Sequence, residues 1–441
     1  MTDSAAAGEN ATDVAEDVAR LARDAAAAAR NGELDQAAAI YHILLQIVPR
    51  DVGALTFLGM RAFQQGDYET SKKLMLRAVE AQPESATLQQ NLGMTYHAAG
   101  DRRHALKCFE TAIALKPDFA LAYFYVGQVL QEMKRLPEAI AAYRKGAGLN
   151  PQLAKAHLNE GSPPLIRELA RRAEQAFEQH KLNLQKQAVQ RLLASAGEVP
   201  PRLNRFLEQQ FERATPDYTH PLQRPSFHFY PGLTSRPWFE RNEFDWIPAF
   251  EAAFPAIRDE LAAVIQKPEA MRPYVAHSGY TPEEWRELAG SADWNSYHLL
   301  RGGEPIAEHC EQCPRTAAAL EQVPLVQAQG HAPEAFFSIL APGAHIPPHF
   351  GLANTKLAIH LPLIVPPDCG IRVGEETRGW REGECLIFDD SFEHEAWNKS
   401  EETRCVLICE VWNPELTPLE RQAIQTLIKT ADNFHRYFDT N

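Results

Sequence analysis

Three residues in the last quarter of the chain have types and spacings that could hold a metal ion and a carboxylate. His349 follows a predicted strand, His394 lies 45 residues later, and Arg404 opens the last predicted strand. Two imidazoles with added oxygen donors suit non-haem Fe(II) and leave positions open for O2 and a co-substrate. An arginine fork matches a planar carboxylate. Spacing alone also allows the alternative that both histidines are hydrogen-bonded core or surface groups.

Acidic residues near these histidines bear on whether such a metal site is complete. Gly351 stands two positions after His349, where an iron site usually carries an acid. Asp389 and Asp390 are candidates for an acidic third ligand, although we favour a turn before the following strand. His345 is expected to be structural or to line the substrate entrance.

The seven cysteines are an odd, scattered set in a chain whose start lacks the pattern of a signal peptide. Cys310 and Cys313 form CEQCP. A single CxxC lacks the second pair of a zinc site, so we expect a loop near the rim of the active site. Reduced thiols in a cytoplasmic protein are the favoured interpretation.

Short strands bounded by turn residues must position these side chains. Beyond Ala335 the apolar runs are short and separated by turn residues, which predicts a sandwich or barrel. In a jelly-roll barrel, a histidine after one strand and another near the start of a late strand can meet inside the barrel mouth. Glu393 and Glu395 flank His394 and should point away from it on a regular strand. The predicted strands are AFFSIL, KLAIHLPLIV, CGIRVG, ECLIFDD, FEHEAWN and RCVLICEVW.

The first third of the chain repeats itself every 34 residues. Gly32, Gly66 and Gly100 keep this interval, as do a small, a large and a proline position. Glycine makes the turn between two antiparallel helices, the small residue lets them approach, and proline stops the second helix. Over about residues 17 to 152 the pattern resembles the tetratricopeptide repeat. The other repeated positions are Ala37, Ser71, Ala105 and Ala139, then Tyr41, Met75, Phe109 and Tyr143, then Pro49, Pro83, Pro117 and Pro151.

Such repeats predict an α-helical solenoid, because one helical pair cannot bury its apolar face alone. Solenoids usually present a concave groove, and we favour a groove that docks a peptide or partner protein. The alternative is that the repeats serve only as a scaffold or a dimer surface.

The charge balance argues against two classes of partner. The formal net charge is -14, and no block of lysine or arginine stands out. Nucleic-acid binding depends on neutralised phosphates, and an anionic membrane attracts basic segments. No stretch approaches the roughly 18 uninterrupted apolar residues of a membrane span. We therefore expect neither nucleic acid nor membrane as a partner.

The C-terminal segment resembles a known enzyme family. From PSFHFYPGL to EVWNPELTP, about residues 225 to 418, it is similar to the aspartyl/asparaginyl β-hydroxylases, which are Fe(II)- and 2-oxoglutarate-dependent dioxygenases. The segments on which this resemblance rests are PGAHIPPHFG, HLPLIVPPDCGIRVGEETRGWREGECLIFDDSFEHEAWN, and Arg404 with VWNPELT after it. Members of this family bind iron with two histidines, and a glycine takes the place of the acid. Gly351 matches that pattern.

The resemblance implies a role for each matching residue. His349 and His394 are the expected iron ligands. Arg404 is the expected partner of the distal carboxylate of 2-oxoglutarate, with Ser338 and His360 beside it. The implied reaction consumes O2 and 2-oxoglutarate, releases succinate and hydroxylates the substrate. The implied fold is a double-stranded β-helix of the jelly-roll or cupin-like type.

One position departs from the family pattern. Well-studied members have an arginine two residues before the histidine at position 360, whereas this chain has Ala358. Lys356 shares a face with Ala358 and His360, because alternate strand positions face together. Lys356 is therefore the candidate that compensates for the missing arginine and contacts the substrate.

Together these features predict a multidomain α + β chain. We expect a flexible N-terminus at residues 1–15, a tetratricopeptide-repeat domain at 16–162, a helical linker at 163–220 and a dioxygenase domain at 221–441. The expected activity is hydroxylation of a peptide or protein side chain, with the β-carbon of Asp or Asn favoured and the repeats recruiting the substrate or a partner. The alternatives are a hydroxylase of a small molecule or lipid acyl chain, and a non-catalytic repeat scaffold whose barrel binds a ligand.

Overall fold

A computed structural model describes residues 3–267, 271–276, 283–328 and 330–439 of the chain. These residues form two compact units, one ending at Lys181 and one beginning at Leu182. In the described part of the chain, no helix is both long and apolar enough to cross a membrane.

The first unit is made of helices. They pack in sequential antiparallel pairs, as a repeat array requires. The helices are α1 (Asp3–Arg30), α2 (Leu34–Ile47), α3 (Val52–Gln64), α4 (Tyr68–Ala81), α5 (Ala86–Ala98), α6 (Arg102–Leu115), α7 (Ala120–Glu132), α8 (Leu136–Leu149), α9 (Pro151–Ala154) and the first part of α10 (Pro164–Ala194).

The repeated residues have the structural roles that the 34-residue period predicts. Gly32, Gly66 and Gly100 turn the chain with φ of 82°, 80° and 83°, a conformation that a side chain would strain. The side chains of Asp67 and Asp101 accept hydrogen bonds from the amides three residues later and so cap the helices that follow. The repeated small positions are completely buried between helices. The predicted tetratricopeptide array is confirmed.

The second unit adds helices around two β-sheets. Its remaining helices are α11 (Pro201–Glu212), α12 (Ile247–Ala252), α13 (Phe254–Ile265), α14 (Ala307–Gln312), α15 (Pro314–Glu321) and α16 (Pro418–Asp439). Its strands are β1 (Trp238–Phe239), β2 (Arg272–Pro273), β3 (Trp294–Arg301), β4 (Glu304–Pro305), β5 (Ala335–Leu340), β6 (His345–His349), β7 (Lys356–Ile364), β8 (Cys369–Val373), β9 (Glu376–Arg378), β10 (Leu386–Phe388), β11 (His394–Asn398) and β12 (Arg404–Trp412).

The large sheet has eight strands in the order β1-β10-β7-β12-β5-β3-β2, with β4 paired to β3. Side chains alternate between its two faces. One face, which includes Leu357, Ile359 and Leu407, packs on helices through residues such as Ile257 and Leu261. The other face is therefore left to meet the second sheet.

The small sheet has four strands in the order β6-β11-β8-β9. Its apolar residues Ile346, Ile371 and Ala396 pack with Leu340 and Val406 of the large sheet. The predicted division into an N-terminal helical region and a C-terminal β-sheet region is confirmed. Among the described residues the two sheets share no ladder, so no closed barrel is found.

Candidate metal and carboxylate site

A cavity of about 330 Å³ lies between the two sheets. Its walls come from the alternate strand positions that face neither helices nor solvent. The large sheet contributes Ser338, His360 and Arg404, and the small sheet contributes His349 and His394. All six residues singled out from the sequence, Lys356 included, thus line one cavity.

The two histidines face each other across neighbouring antiparallel strands. His394 of β11 is directly opposite His349 of β6, and their ring centroids are 4.0 Å apart. Nδ1 of His349 donates to the carbonyl of Pro347 at 2.8 Å, and Nδ1 of His394 donates to the carbonyl of Phe392 at 2.9 Å. Each ring therefore keeps Nε2 as its free acceptor, the arrangement that metal-ligating histidines use.

Burial keeps both imidazoles neutral, which is the form that binds a metal. Loss of solvent lowers the pKa of His349, and loss of solvent and the proximity of His349 lower the pKa of His394 well below its usual value. Trp285 packs edge-on against His349 at 4.8 Å between ring centroids. Among the described residues, no group of three or more histidines, cysteines or acids is placed to hold a metal.

Gly351 adjoins this pair and has no room for a side chain. A Cβ on Gly351 would lie 2.3 Å from Cγ and 2.4 Å from Oδ2 of Asp390. The amide of Gly351 also donates to the carbonyl of Asp390 at 2.7 Å. The carboxyl of Asp390 thus fills the space in which an acid at position 351 would begin.

Arg404 occupies one end of the cavity and has no acidic partner among the described residues. It is 1% exposed, and its Nη1 reaches Oγ of Ser338 at 3.4 Å. No described residue accepts a hydrogen bond from its Nε. Burial lowers the pKa of Arg404 to about 10. A buried, unpaired guanidinium is costly, which makes this end suited to an incoming carboxylate.

The residues around Arg404 complete this end, which we call the closed end. Trp294 donates its Nε1–H to Oγ of Ser338 at 3.0 Å, and the ring of Trp380 lies 4.8 Å from the guanidinium carbon. His360 is buried, its Nδ1 has no partner among the described residues, and burial lowers its pKa to about 3. A neutral imidazole beside Arg404 can donate or accept one further hydrogen bond.

The opposite end of the cavity, which we call the open end, contains Lys356. Lys356 pairs in register with Trp412, eight positions along β12 from Arg404. Lys356 forms an ion pair with Glu410, and the two side chains are 13% and 11% exposed. Tyr274 and Leu352 at this end are 40% and 48% exposed, which marks it as the mouth.

Three other residues considered from the sequence, His345, Glu393 and Glu395, lie outside the cavity. Nε2 of His345 is 2.8 Å from Oε2 of Glu395, and Arg372 binds both Glu393 and Glu395. The two glutamates therefore point away from His394, as predicted, and His345 has a structural partner.

The expectation that the CxxC forms a loop at the rim of the active site was wrong. Cys310 lies in α14, and Cys313 is buried in the core between the large sheet and its helices. Burial raises the pKa of the Cys313 thiol to about 12, which makes it unreactive. These side chains pack on the face of the sheet that is turned away from the cavity.

Sequence reasoning missed two acids of the open end and several aromatic residues that line the cavity. Glu410 lies six positions after Arg404, and Glu334 and Phe336 precede Ser338 by four and two positions. All share the even-numbered phase of Arg404 and Ser338, so strand alternation was the signal that could have identified them. Tyr274, Trp285 and Trp294 carried no comparable signal, because they precede the strands that were predicted.

Comparisons with known proteins cover both units. Residues 251–414 match the family model Aspartyl/Asparaginyl beta-hydroxylase, and residues 25–86, 57–101 and 91–154 match Tetratricopeptide repeat. The chain is 34% identical over 200 residues to the human protein Aspartyl/asparaginyl beta-hydroxylase, a match covering 44% of this chain and 25% of that protein.

Two further relatives match over the same part of the chain. Aspartate beta-hydroxylase domain-containing protein 2 of Xenopus tropicalis is 31% identical over 212 residues, covering 47% of this chain and 55% of that protein. Ornithine lipid ester-linked acyl 2-hydroxylase of Rhizobium tropici is 34% identical over 192 residues, covering 43% of this chain and 65% of that protein. The chain thus spans less than two thirds of the length of each of these relatives.

Proposed function

We propose that this chain, whose residues 251–414 belong to the aspartyl/asparaginyl β-hydroxylase family, is an Fe(II)- and 2-oxoglutarate-dependent dioxygenase that hydroxylates a peptide or protein side chain. The observation that carries the proposal is the buried, unpaired Arg404 in the same cavity as two neutral histidines with free Nε2 atoms. The end of the cavity at Arg404 suits a carboxylate, and the two histidines suit a metal. A dicarboxylate co-substrate that also binds the metal requires both.

The residues present fit the iron and the co-substrate. His349 and His394 would hold Fe(II) through Nε2, and Arg404, Ser338 and His360 would hold the distal carboxylate of 2-oxoglutarate. When bound, Fe(II), 2-oxoglutarate and O2 supply the oxidising power and the oxygen atom for hydroxylation. Glycine at position 351 leaves the protein with two imidazole ligands, and the carboxyl of Asp390 lines the cavity beside them.

The protein's own contribution is orientation and exclusion of water. The carbonyls of Pro347 and Phe392 fix the tautomer and the angle of each imidazole. Trp294 holds the Ser338 hydroxyl beside Arg404, so the carboxylate-binding groups are arranged before a ligand arrives. Burial of Arg404 strengthens its attraction to a carboxylate, because little water competes.

We assign substrate recruitment to the tetratricopeptide repeats, since helical solenoids usually bind peptides or proteins on an extended concave surface. The β-carbon of Asp or Asn is the target that the family favours. A second candidate is hydroxylation of a lipid acyl chain or other small molecule. Exposed Leu352 at the mouth and exposed Phe227, which line an adjoining small apolar pocket, favour that candidate.

We retain the finer parts of the sequence prediction as proposals. The small sheet packs face to face on the large sheet, which supports a double-stranded β-helix of the jelly-roll type for residues 221–441. The bounds 16–162 and 163–220 are proposed for the repeats and the linker. Of the predicted N-terminal segment 1–15, residues 1 and 2 lie outside the described residues, and α1 begins at Asp3. All seven cysteines are free thiols, which supports a reducing, cytoplasmic location.

Succinate release by the purified full-length chain tests the proposal. With Fe(II), ascorbate and 2-oxoglutarate, the chain should release succinate, and H349A and H394A should not. Arg404→Met should raise the KM for 2-oxoglutarate by about 100-fold, because it removes the partner of a buried carboxylate. Arg381→Met, which changes an arginine with an 82% exposed side chain, is the matched control and should leave KM unchanged.

Binding measurements separate loss of chemistry from loss of the site. Mn(II) and 2-oxoglutarate should raise the melting temperature of the wild-type chain and of Arg381→Met, and 2-oxoglutarate should not do so for Arg404→Met. A wild-type chain that binds neither ligand and releases no succinate would leave the non-catalytic scaffold as the remaining explanation.

A further inference from the structure

Among the described residues that line the cavity, none brings a free cation to the open end. Lys356 lies there, but it is already paired with the buried carboxylate of Glu410. The neighbouring strand position, Ala358, is opposite Glu410 in the register of β7 and β12 and brings no charge. Lys356 therefore brings no unpaired charge to the place of the arginine that this chain lacks at Ala358.

Carboxylates outnumber cations at this end. Glu334, Asp390 and Glu410 line it, and of the described residues around the cavity the lysine and arginine side chains are Lys356 and Arg404 alone. Arg404 lies at the closed end. Nε2 of His298 lies 3.2 Å from Oε2 of Glu334, and the three acids outnumber the single lysine at this end.

One of these carboxylates has an unsatisfied atom. Oδ1 of Asp390 is buried, and no described residue donates a hydrogen bond to it. Asp390 lines the same cavity as Lys356 and Glu410. A buried acceptor without a donor is costly, so a ligand that brings a donor would be stabilised there.

An aromatic wall lies beside the carboxylates. Tyr274 stacks on Trp294 with ring centroids 4.0 Å apart and an interplanar angle of 24°, and it lies 5.1 Å from Phe336. Glu334, Phe336 and Tyr274 all line the cavity. Aromatic faces next to carboxylates are the surroundings that bind ammonium and guanidinium groups.

We infer that the substrate presents a positively charged amine or guanidinium to the open end, and that the excess of carboxylates there disfavours a substrate carboxylate at that end. The inference rests on the proposed function, since it concerns the substrate of the same site. A bound divalent metal and a dicarboxylate co-substrate would cancel in formal charge. The excess of carboxylates at the open end would therefore persist in the loaded protein and repel an acidic group.

Three peptides with capped termini test the charge preference. They share one uncharged seven-residue sequence and differ only in a central Arg, Gln or Glu. Binding to the full-length chain is measured by calorimetry with Mn(II) and 2-oxoglutarate present, so no turnover is needed. The Arg peptide should bind at least about tenfold more tightly than the Gln peptide, and the Glu peptide should bind most weakly.

Two substitutions assign the preference to these residues. Glu410→Gln frees Lys356 and should bring the affinities of the Glu and Arg peptides together or reverse their order. Glu334→Gln leaves the Lys356–Glu410 pair in place and should weaken only the Arg peptide, so it still tests the inference if Glu410→Gln fails to fold. Glu401→Gln, which changes an exposed acid, is the control and should behave as wild type.

Equal affinities, a preference for the Glu peptide, or no binding of any peptide by a chain that binds 2-oxoglutarate would overturn the inference. The same affinities measured without metal and co-substrate separate the two proposals. If the chain binds no 2-oxoglutarate, the proposed function fails, and the order of the three peptides still decides whether the open end selects a cation.

Discussion

Gly351 and Asp390 share one small volume beside the histidine pair. The backbone at Gly351 does not have the left-handed φ that favours glycine, so its conformation would allow a side chain. The constraint is space, because the carboxyl of Asp390 lies where a Cβ would project. Close packing of this kind makes the two positions interdependent.

Restoring an acid at position 351 should therefore harm the protein. Gly351→Asp should lower the free energy of unfolding by about 1–3 kcal/mol, since overpacking forces neighbouring groups to shift. Urea unfolding followed by tryptophan fluorescence measures this, because all seven tryptophans lie in the second unit. Asp390→Ala removes the three atoms nearest to the new Cβ and should rescue the stability of the double variant.

Gly379 provides the matched control for this steric account. A Cβ on Gly379 meets nothing within 4 Å, and Gly379 has no left-handed φ. Gly379→Asp should leave stability unchanged. A Gly351→Asp variant as stable as Gly379→Asp would show that Asp390 moves aside at no cost.

At the scale of the elements, the repeats depend on helices that approach closely at glycine. A Cβ on Gly127 of α7 would lie 2.6 Å from the ring of Tyr143 of α8, which is fully buried. A Cβ on Gly59 of α3 would instead meet the terminal methyl of Met75. The ring is rigid and confined, whereas the methionine end is flexible and can turn away.

The two glycines should consequently respond differently to alanine. Gly127→Ala should destabilise its helix pair by about 1–3 kcal/mol through overpacking. Gly59→Ala should stay within about 1 kcal/mol of wild type, because the better helix propensity of alanine offsets the displaced methyl. Amide hydrogen exchange across α7–α8 and α3–α4 in the full chain measures both. Equal losses of protection would contradict the distinction between ring and methyl.

In the second unit, Glu420 ties α16 to α11. Its carboxylate is fully buried and accepts hydrogen bonds from Nε of Arg202 at 2.6 Å and from the hydroxyl of Tyr230 at 2.8 Å. The amide of Thr417 donates to it at 2.7 Å. Although burial alone would raise its pKa, these donors lower the pKa of Glu420 to about 2. The folded state therefore stabilises the ionised carboxylate.

Glu420→Gln should cost stability in a pH-dependent way. The folded pKa lies below the unfolded one, so the contribution is fully present above about pH 4.5 and is lost as pH falls toward 2. A shift of this size corresponds to about 3 kcal/mol at pH 7. Urea unfolding should show that difference at pH 7 and a smaller one at pH 3.5. Glu376→Gln, which breaks an exposed pair with Arg378, should change little at either pH.

For the whole molecule, the proposed chemistry and the repeats belong to different units. The described residues that line the cavity all lie between Tyr274 and Glu410, in the unit that begins at Leu182. The repeat matches end at residue 154, in the unit that ends at Lys181. Co-substrate turnover and protein recruitment should therefore be separable.

Deletion of residues 1–160 tests this separation. Succinate release with 2-oxoglutarate alone should stay near the full-length rate, because the deleted residues do not line the cavity. The KM for a protein substrate should rise by about tenfold or more, because the deletion removes a second binding site. Tryptophan fluorescence reports whether the second unit remains folded. An unchanged KM in a folded deletion variant would remove the recruiting role of the repeats.

Much of this architecture is local and was predictable from the chain. The 34-residue period predicted the helix pairs, since helix, turn and stop depend on residues a few positions apart. Strand alternation placed Lys356, Ala358 and His360 on one face, as the structure has them. The resemblance identified His349, His394 and Arg404 as a set, and the fold brings all three into one cavity.

The partners of these residues were decided only by tertiary structure. Whether Lys356 is free for a substrate depends on Glu410, which the register of β7 and β12 brings to it from 54 positions later. The room for a side chain at Gly351 depends on Asp390, which lies on a different segment. The sequence by itself determined which residues could do chemistry, because it directly shows the residue types and the period with which they recur along a helix or strand. Which of them stay unpaired, as Arg404 does and Lys356 does not, depends on contacts between distant strands.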